Sequence, residues 1–350
     1  MGGNKSLHFP KLFFRYMNPE HRLIQWINMI VSATWLILLL CGVALIVINF
    51  PELWINTNPS LAETIEAPKV KSVWSPPDSN FIPKDEAGRR IRYGQKLVAH
   101  TAAYLGPAGS VMQITNGMNC QNCHLESGTK LFGNNYAGVA STYPKFRPRS
   151  GTIETIEKRV NDCIQRSLNG RPLSEESEEM KSFVAYIQWV GSQVPKDSIP
   201  KGTGIKQPAL LDRPADPEKG KLVYEQNCAR CHGTNGEGMK VAGSAEWLYP
   251  PLYGPQSYNT GAGLYRLSRF AGYVKYNMPN DLATPEKPFL TDEQCWDVAA
   301  FVNSMSRPGF DISSDWPDIS KKPFDHPFGP FSDDRSEKEH KYGPWPKAGK

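Results

Sequence analysis

Apolar positions along the chain follow two patterns. From Leu23 to Pro51 no side chain is charged, and Met29 to Ile48 is a nearly unbroken apolar run, about as long as a helix needs to cross a bilayer. The run passes into Ile48, Asn49, Phe50 and Pro51 without the small residues that close a cleaved leader. It therefore predicts a retained anchor rather than a signal peptide. Elsewhere apolar residues recur at helical spacing. Arg89–Leu105 reads as one such helix, and Ser174–Val190 as another, with Phe183, Ile187 and Val190 on one face. Pro217–Gln226 and Thr291–Met305 repeat the order, the last closing on Trp296, Val298, Phe301 and Val302. Ile153, Ile156, Val160, Cys163, Ile164 and Leu168 form a further helical stripe.

Between these stretches, Pro59–Lys84 reads as a linker and Pro195–Pro217 as a Pro, Gly and Lys-rich connector. Residues from Pro308 onward are rich in Pro, Asp and Lys and are expected to wrap the surface or stay mobile. The chain of 350 residues is too long for one small unit. Its 30 prolines and 29 glycines imply much irregular backbone, as when packing is organised around a cofactor.

The net charge of +5 belongs mainly to the N-terminus, since residues 1–50 hold Lys5, Lys11, Arg15 and Arg22 against one Glu. Those cations favour a cytoplasmic N-terminus, with Trp26 and Trp54 as interfacial anchors and everything after Pro51 outside the cytoplasm. There is no general basic stripe with interleaved aromatics, so nucleic acid is not an expected partner.

Seven cysteines could suggest disulfides in an oxidising compartment. Four of them, however, stand in Cys120-Gln-Asn-Cys123-His124 and Cys228-Ala-Arg-Cys231-His232, the attachment signature of c-type haem. Two thiols add to the two vinyl groups of one porphyrin, and the adjacent histidine supplies the proximal iron ligand. A shared structural zinc is the competing reading; it would need the two knuckles to hold one ion. The expected fold is therefore mainly α, with two cytochrome c domains in tandem, each carrying one covalently bound haem c, preceded by one N-terminal transmembrane helix. The segments are 1–22 cytoplasmic, 23–50 anchor, 51–85 linker, 86–195 first haem domain, 196–216 connector, 217–307 second haem domain and 308–350 tail.

The distal ligand decides what each haem can do. Gly233–Leu290 contains no histidine and only two methionines, Met239 and Met278. Met278, followed by Pro279 after a tyrosine-rich helix, is the expected ligand; Met239 and Lys275 are lesser candidates, and a core role for Met278 is the alternative. Between Leu125 and Glu179 there is neither Met nor His. By elimination Cys163 is the strongest distal candidate there, ahead of Lys130, Lys145 and Lys158. Its helical neighbours include Arg159, Arg166 and Ser167, and two nearby guanidiniums favour a thiolate. A buried core cysteine, or a disulfide to Cys295, are the competing readings.

Lys145, Arg147, Arg149, Lys158, Arg159, Arg166 and Arg171 gather around this thiol in sequence, against only Glu154, Glu157 and Asp162. Such a run often means a solvated face. Beside a haem thiolate, it suits a small dianion held by paired charge-assisted hydrogen bonds.

At these residues the sequence resembles the dihaem thiosulfate dehydrogenase family, some members of which run as tetrathionate reductases. The resemblance spans Glu86 to Pro308 and is most specific in Tyr143–Gly170, YPKFRPRSGTIETIEKRVNDCIQRSLNG. It implies a His and Cys-ligated active-site haem, with iron on His124 and Cys163, and a second haem on His232 and Met278 passing electrons onward. Arg149, Arg159 and Ser167 become substrate contacts by the same resemblance; helix geometry adds Arg166. Asn277 stands where some relatives have a lysine, and many relatives lack an anchor.

The function expected is oxidation of thiosulfate to tetrathionate, with electrons delivered to an acceptor such as a cytochrome c or a membrane respiratory complex. The expected location is the bacterial inner membrane, single-pass, with the haem domains on the periplasmic side. Tetrathionate reduction, or a non-enzymatic electron-transfer subunit, are the competing functions.

Overall fold

The computed structural model describes residues 19–49 and 73–346, which fall into two compact units, a single long helix and everything from Val73 on. Helix α1 (Pro19–Asn49) contains Leu23–Leu45, an uncharged stretch of mean hydropathy 2.2 with none of it buried inside the protein. A helix apolar on every face has no polar side to give to water, and among the described residues it alone is long and apolar enough to cross a membrane. Lys5, Lys11, Arg15, Trp54 and the linker residues 51–72 lie outside the described residues.

The second unit begins inside the expected linker. Trp74 and Ile82 are buried, and Trp74 N–H donates to the carbonyl of Lys201, so residues 73–84 pack on the domain that follows. Helix α2 (Glu86–Ala99) is capped by Asp85, which accepts from the Gly88 N–H at 3.0 Å. The helix expected to run to Leu105 breaks at His100, whose φ of −129° and ψ of 42° are not helical. The break turns Thr101 and Ala102 toward the first haem motif. Thr101 Oγ1 accepts from the Cys120 N–H at 2.9 Å, and the Ala102 N–H donates to Asn119 Oδ1 at 2.8 Å.

Strands β1 (Lys145–Arg147) and β2 (Thr152–Glu154) form an antiparallel hairpin that leads into α3 (Ile156–Arg166). Ile153, expected on the helix stripe, lies in β2 and is 71% exposed. The reason is local: Thr155 accepts from the Lys158 N–H and starts the helix after itself. Likewise α4 (Glu178–Val190) begins four residues later than its pattern suggests, because Ser177 caps the Met180 N–H. Helices α2 and α4 cross at Gly94, where a Cβ would stand 1.9 Å from the Ser182 carbonyl oxygen.

The plan recurs. Helix α5 (Pro217–Asn227) starts with Asp216 as cap and Pro217 in its first turn. A short hairpin of β3 (Met239–Lys240) and β4 (Trp247–Tyr249) follows, then α6 (Leu267–Asn277) and α7 (Asp292–Ser304), the last opened by a Thr291/Gln294 capping box. Helices α5 and α7 cross at Gly220, again with 1.9 Å to a carbonyl oxygen, that of Asp297. Phe183, Tyr186, Leu97 and Val98 fill the first crossing, and Tyr224, Trp296, Val298 and Val302 the second; all belong to one continuous core.

The connector ties the two halves together. Gly202 O accepts from the Phe132 N–H, Ala209 O from Trp296 Nε1, and Gly272 packs against Lys206 O. Direct bonds join the domains as well: Tyr273 OH donates to Asn122 O at 2.9 Å and Asn277 Nδ2 to Phe132 O at 3.1 Å. Of the two behaviours expected for the tail, residues 308–346 wrap the surface. Trp345 is 3% exposed and packs on Trp296, the Ala215 N–H donates to Tyr342 O, and a terminal helix α8 (Glu337–Tyr342) buries His340. A buried tryptophan supplies apolar area that a mobile tail would leave in water.

Candidate active site

Both haem motifs present their histidines in the same way. His124 Nδ1 faces Asn134 O at 2.5 Å and His232 Nδ1 faces Pro250 O at 2.8 Å. A carbonyl only accepts, so each ring carries its proton on Nδ1 and leaves Nε2 unprotonated, the tautomer an iron ligand requires; His124 Nε2 faces the Asn134 amide nitrogen at 3.5 Å. Burial holds both rings neutral, taking His124 down to about 4 and lowering His232. Burial likewise pushes the Cys120, Cys123 and Cys228 thiols up to about 12. A cavity of about 470 Å³ opens at the second motif, lined by Cys228, Cys231, His232, Met278 and Leu290, and it reaches Cys123 of the first. Mostly apolar walls, an unprotonated His232 nitrogen and paired thiols fit a porphyrin.

Met278 caps α6 in extended conformation and lines that cavity with His232. The lesser candidates are placed elsewhere: Lys275 Nζ is bonded to Leu290 O and Asp292, and Met239 is 46% exposed on β3. Asn277 is fully buried and turns its amide nitrogen to Phe132 O and Tyr273 O.

At the first motif, α3 carries Cys163 close enough for its charge to bear on Cys120, Cys123, Tyr136 and Tyr143. Cys163 and Cys295 are both free thiols, the latter fully buried in α7. Lys130, Lys145 and Lys158 are bonded to Asn280, Thr142 and Asp162 respectively. Ser167 ends α3 one turn beyond Cys163, its N–H donating to Cys163 O at 2.8 Å.

Around this thiol stands a cluster of guanidiniums. Arg149, in the turn of the β1–β2 hairpin, is held down to about 10 by burial first and then by Arg166 and Arg159, with Asp315 opposing. Arg159 is held above its usual value chiefly by Cys163, and among the described residues no hydrogen bond or ion pair ties its guanidinium. Arg166, expected at the substrate, instead has both terminal nitrogens on the tail's Asp315, each at 2.8 Å, and its plane over Phe310. Arg149 Nε lies 4.0 Å from the same carboxylate and Nη1 donates to Gly261 O at 3.3 Å.

Two family models match the chain, the SoxA/TsdA cytochrome c domain over residues 110–195 and cytochrome c over residues 217–306. A thiosulfate dehydrogenase of Allochromatium vinosum is 35% identical over 262 residues, which cover 73% of this chain and 92% of the relative. The chain belongs to the thiosulfate dehydrogenase family. A second family member, from Psychrobacter arcticus, is 32% identical over 69% of this chain and 71% of its own. Among solved structures, the thiosulfate dehydrogenase (TsdBA) of Marichromatium purpuratum in its as-isolated form matches with a TM-score of 0.62 and 30% identity. That match covers 68% of this chain and 50% of the other, so the chain spans half that protein's length. As a family member with both cytochrome c domains, the protein carries two covalently attached c-type haems.

The sequence reading missed what reaches this site from outside residues 120–170. Arg266, at the start of α6, joins the cluster from the second domain, lining one small cavity with Arg149 and Asp315. Asp315 and Asp325 reach it from the tail, Asp325 binding Arg266 at 2.8 and 2.5 Å and capping the Ser268 N–H. Nothing in linear order links these positions to Cys163, although the tail's richness in Asp was visible.

Proposed function

We propose that the protein oxidises thiosulfate to tetrathionate at the first haem, with His124 and Cys163 as its ligands, and passes electrons through a second haem on His232 and Met278. The observation that carries this reading is Cys163 set beside the first haem motif with Arg159, which no carboxylate pairs among the described residues. Haems held by these residues would supply one-electron acceptors, one at each motif. The Cys163 thiolate forms a sulfur–sulfur bond to the outer sulfur of one thiosulfate as two electrons depart. The outer sulfur of a second thiosulfate then attacks that same sulfur; the bond to Cys163 breaks, tetrathionate leaves and the thiolate returns. Charge balances at both steps without a proton. Two dianions repel each other, so Arg149 and Arg159 must offset that repulsion where they meet, an electrostatic contribution of the oxyanion-hole type. Ser167 adds a hydroxyl donor one turn from the thiol.

Helix α1 supports anchorage in a bacterial inner membrane with the haem domains on the periplasmic side. An acceptor there would be a cytochrome c or a membrane respiratory complex. The test is Cys163→Ala, which should keep both haems attached and abolish thiosulfate-dependent reduction of an artificial acceptor. Full turnover by that variant would sink the mechanism.

A further inference from the structure

Helix α6, which ends at Met278, is held by the first domain as well as by its own. Tyr273 on this helix is buried, and its phenol donates to the Asn122 carbonyl at 2.9 Å. Asn122 stands between Cys120 and Cys123, in the loop that attaches the first haem. That loop is closed on itself: the Asn119 N–H donates to Asn122 Oδ1 at 2.7 Å, the Asn122 N–H to Asn119 O at 3.0 Å and the Cys123 N–H to Cys120 O at 3.1 Å. At its other end the Asn119 amide nitrogen donates to Glu246 Oε1, in the β3–β4 hairpin, at 3.2 Å. One turn beyond Tyr273, Asn277 Nδ2 reaches Phe132 O at 3.1 Å. Residues four apart share a helix face, so one face of α6 meets the first domain on both sides of His124.

Tyr273 also lines the cavity of about 470 Å³ at the second motif. Asn122 and Cys123 belong to the same wall from the first domain, and Cys228, His232 and Met278 from the second. One side chain therefore borders the second haem's site and bonds the first haem's attachment loop. Cys123 supplies one of the two sulfurs that fix the first porphyrin, so a group that fills the cavity meets that attachment directly. Burial first, and then Cys123, push the Tyr273 phenol well above the usual tyrosine value. It keeps its proton and stays a hydrogen-bond donor.

We propose that Tyr273 is a positioning residue for electron passage between the two haems, its hydroxyl fixing the Cys120–Cys123 loop so that Cys123 stays on the wall of the second haem's cavity. This rests on the two-haem relay proposed above and names the side chain that sets its junction. One electron moves from the first haem site to the second; no bond forms or breaks, and the phenolic proton stays on Tyr273. Because α6 leads into Met278, the helix that presents a sulfur to one haem site also seats the attachment loop of the other.

The test uses the full dihaem protein with Tyr273→Phe, which keeps the ring and removes only the donor. Amide hydrogen exchange at Asn122 and Cys123 should speed up by about two- to tenfold, the equilibrium factor of one lost hydrogen bond. Electron exchange between the haems, followed after flash photoreduction, should slow severalfold with both midpoint potentials unchanged. Unaltered exchange at those amides would overturn the proposal, because the hydroxyl would not be fixing the loop. So would an unaltered interhaem rate, or a slower one accounted for by a shifted potential, which would give Tyr273 a part in driving force and not in position. If no electron passed between the haems of the unmodified protein, the relay reading would fall and this inference with it; passage at one rate with and without the hydroxyl would remove the inference alone.

Discussion

Replacing Asp315 by Asn would remove the one carboxylate that two buried guanidiniums share. The Asp315 side chain is 7% exposed and that of Arg166 11%, and both contacts between them are 2.8 Å long. Arg149 Nε stands 4.0 Å from the same group. Breaking a buried, hydrogen-bonded pair by deleting one partner costs about 3–5 kcal/mol, because the surviving charge has neither water nor a counter-ion. Here a second arginine stands beside the first, which places the expected loss toward the upper end of about 3–5 kcal/mol. Denaturant unfolding of wild type and variant at equal ionic strength measures it. Sulfate should restore part of the loss, since an anion can take the vacated position between Arg149 and Arg166. A double replacement, Asp315→Leu with Arg166→Met, should be far less damaging than Asp315→Asn, since no unpaired charge remains at position 166. A loss below about 1 kcal/mol for the single variant would place the pair among exposed ion pairs and refute the view that the tail neutralises the cluster.

Gly94→Ala and Gly220→Ala should each destabilise their own domain strongly, by about 3 kcal/mol or more through forced separation of crossing helices, because each new Cβ would sit 1.9 Å from a carbonyl oxygen; thermal unfolding reads this, and small shifts would mean the crossings yield easily. His326 is 5% exposed and held down to about 4 by burial, whereas unfolded it takes a proton near ~6.5. The unfolded state therefore binds more protons between these values, and stability present above that window should fall as pH drops through it, by up to about 3 kcal/mol. Comparing unfolding at about pH 7.5 and about pH 5 for wild type and His326→Asn checks the sign; an equal drop in both would refute it. Met278→Ala should leave the second haem attached but remove its methionine-to-iron charge-transfer absorption, and an unchanged spectrum would exclude Met278 as ligand.

Much of this protein was legible along the chain because the chemistry is local. A haem attachment motif needs its cysteines and histidine within five consecutive positions, so Cys120–His124 and Cys228–His232 announce themselves. The apolar run that became α1 is likewise a property of composition, and helix ends were off where a cap residue, Ser177 or Thr155, set the start later than the apolar spacing implied, and where the chain broke at His100. Cys163 could be singled out by elimination within its own segment. What linear order could not convey was which charges meet. Arg166 and Arg159 look alike on one helix, separated by seven positions, yet one is paired and the other is not, because Asp315 lies 149 residues from Arg166 in the chain. Electrostatic pairing falls off over a few ångströms in space and takes no account of distance along the chain, so the haem positions were written in the sequence, while which arginines meet a carboxylate was decided by tertiary packing.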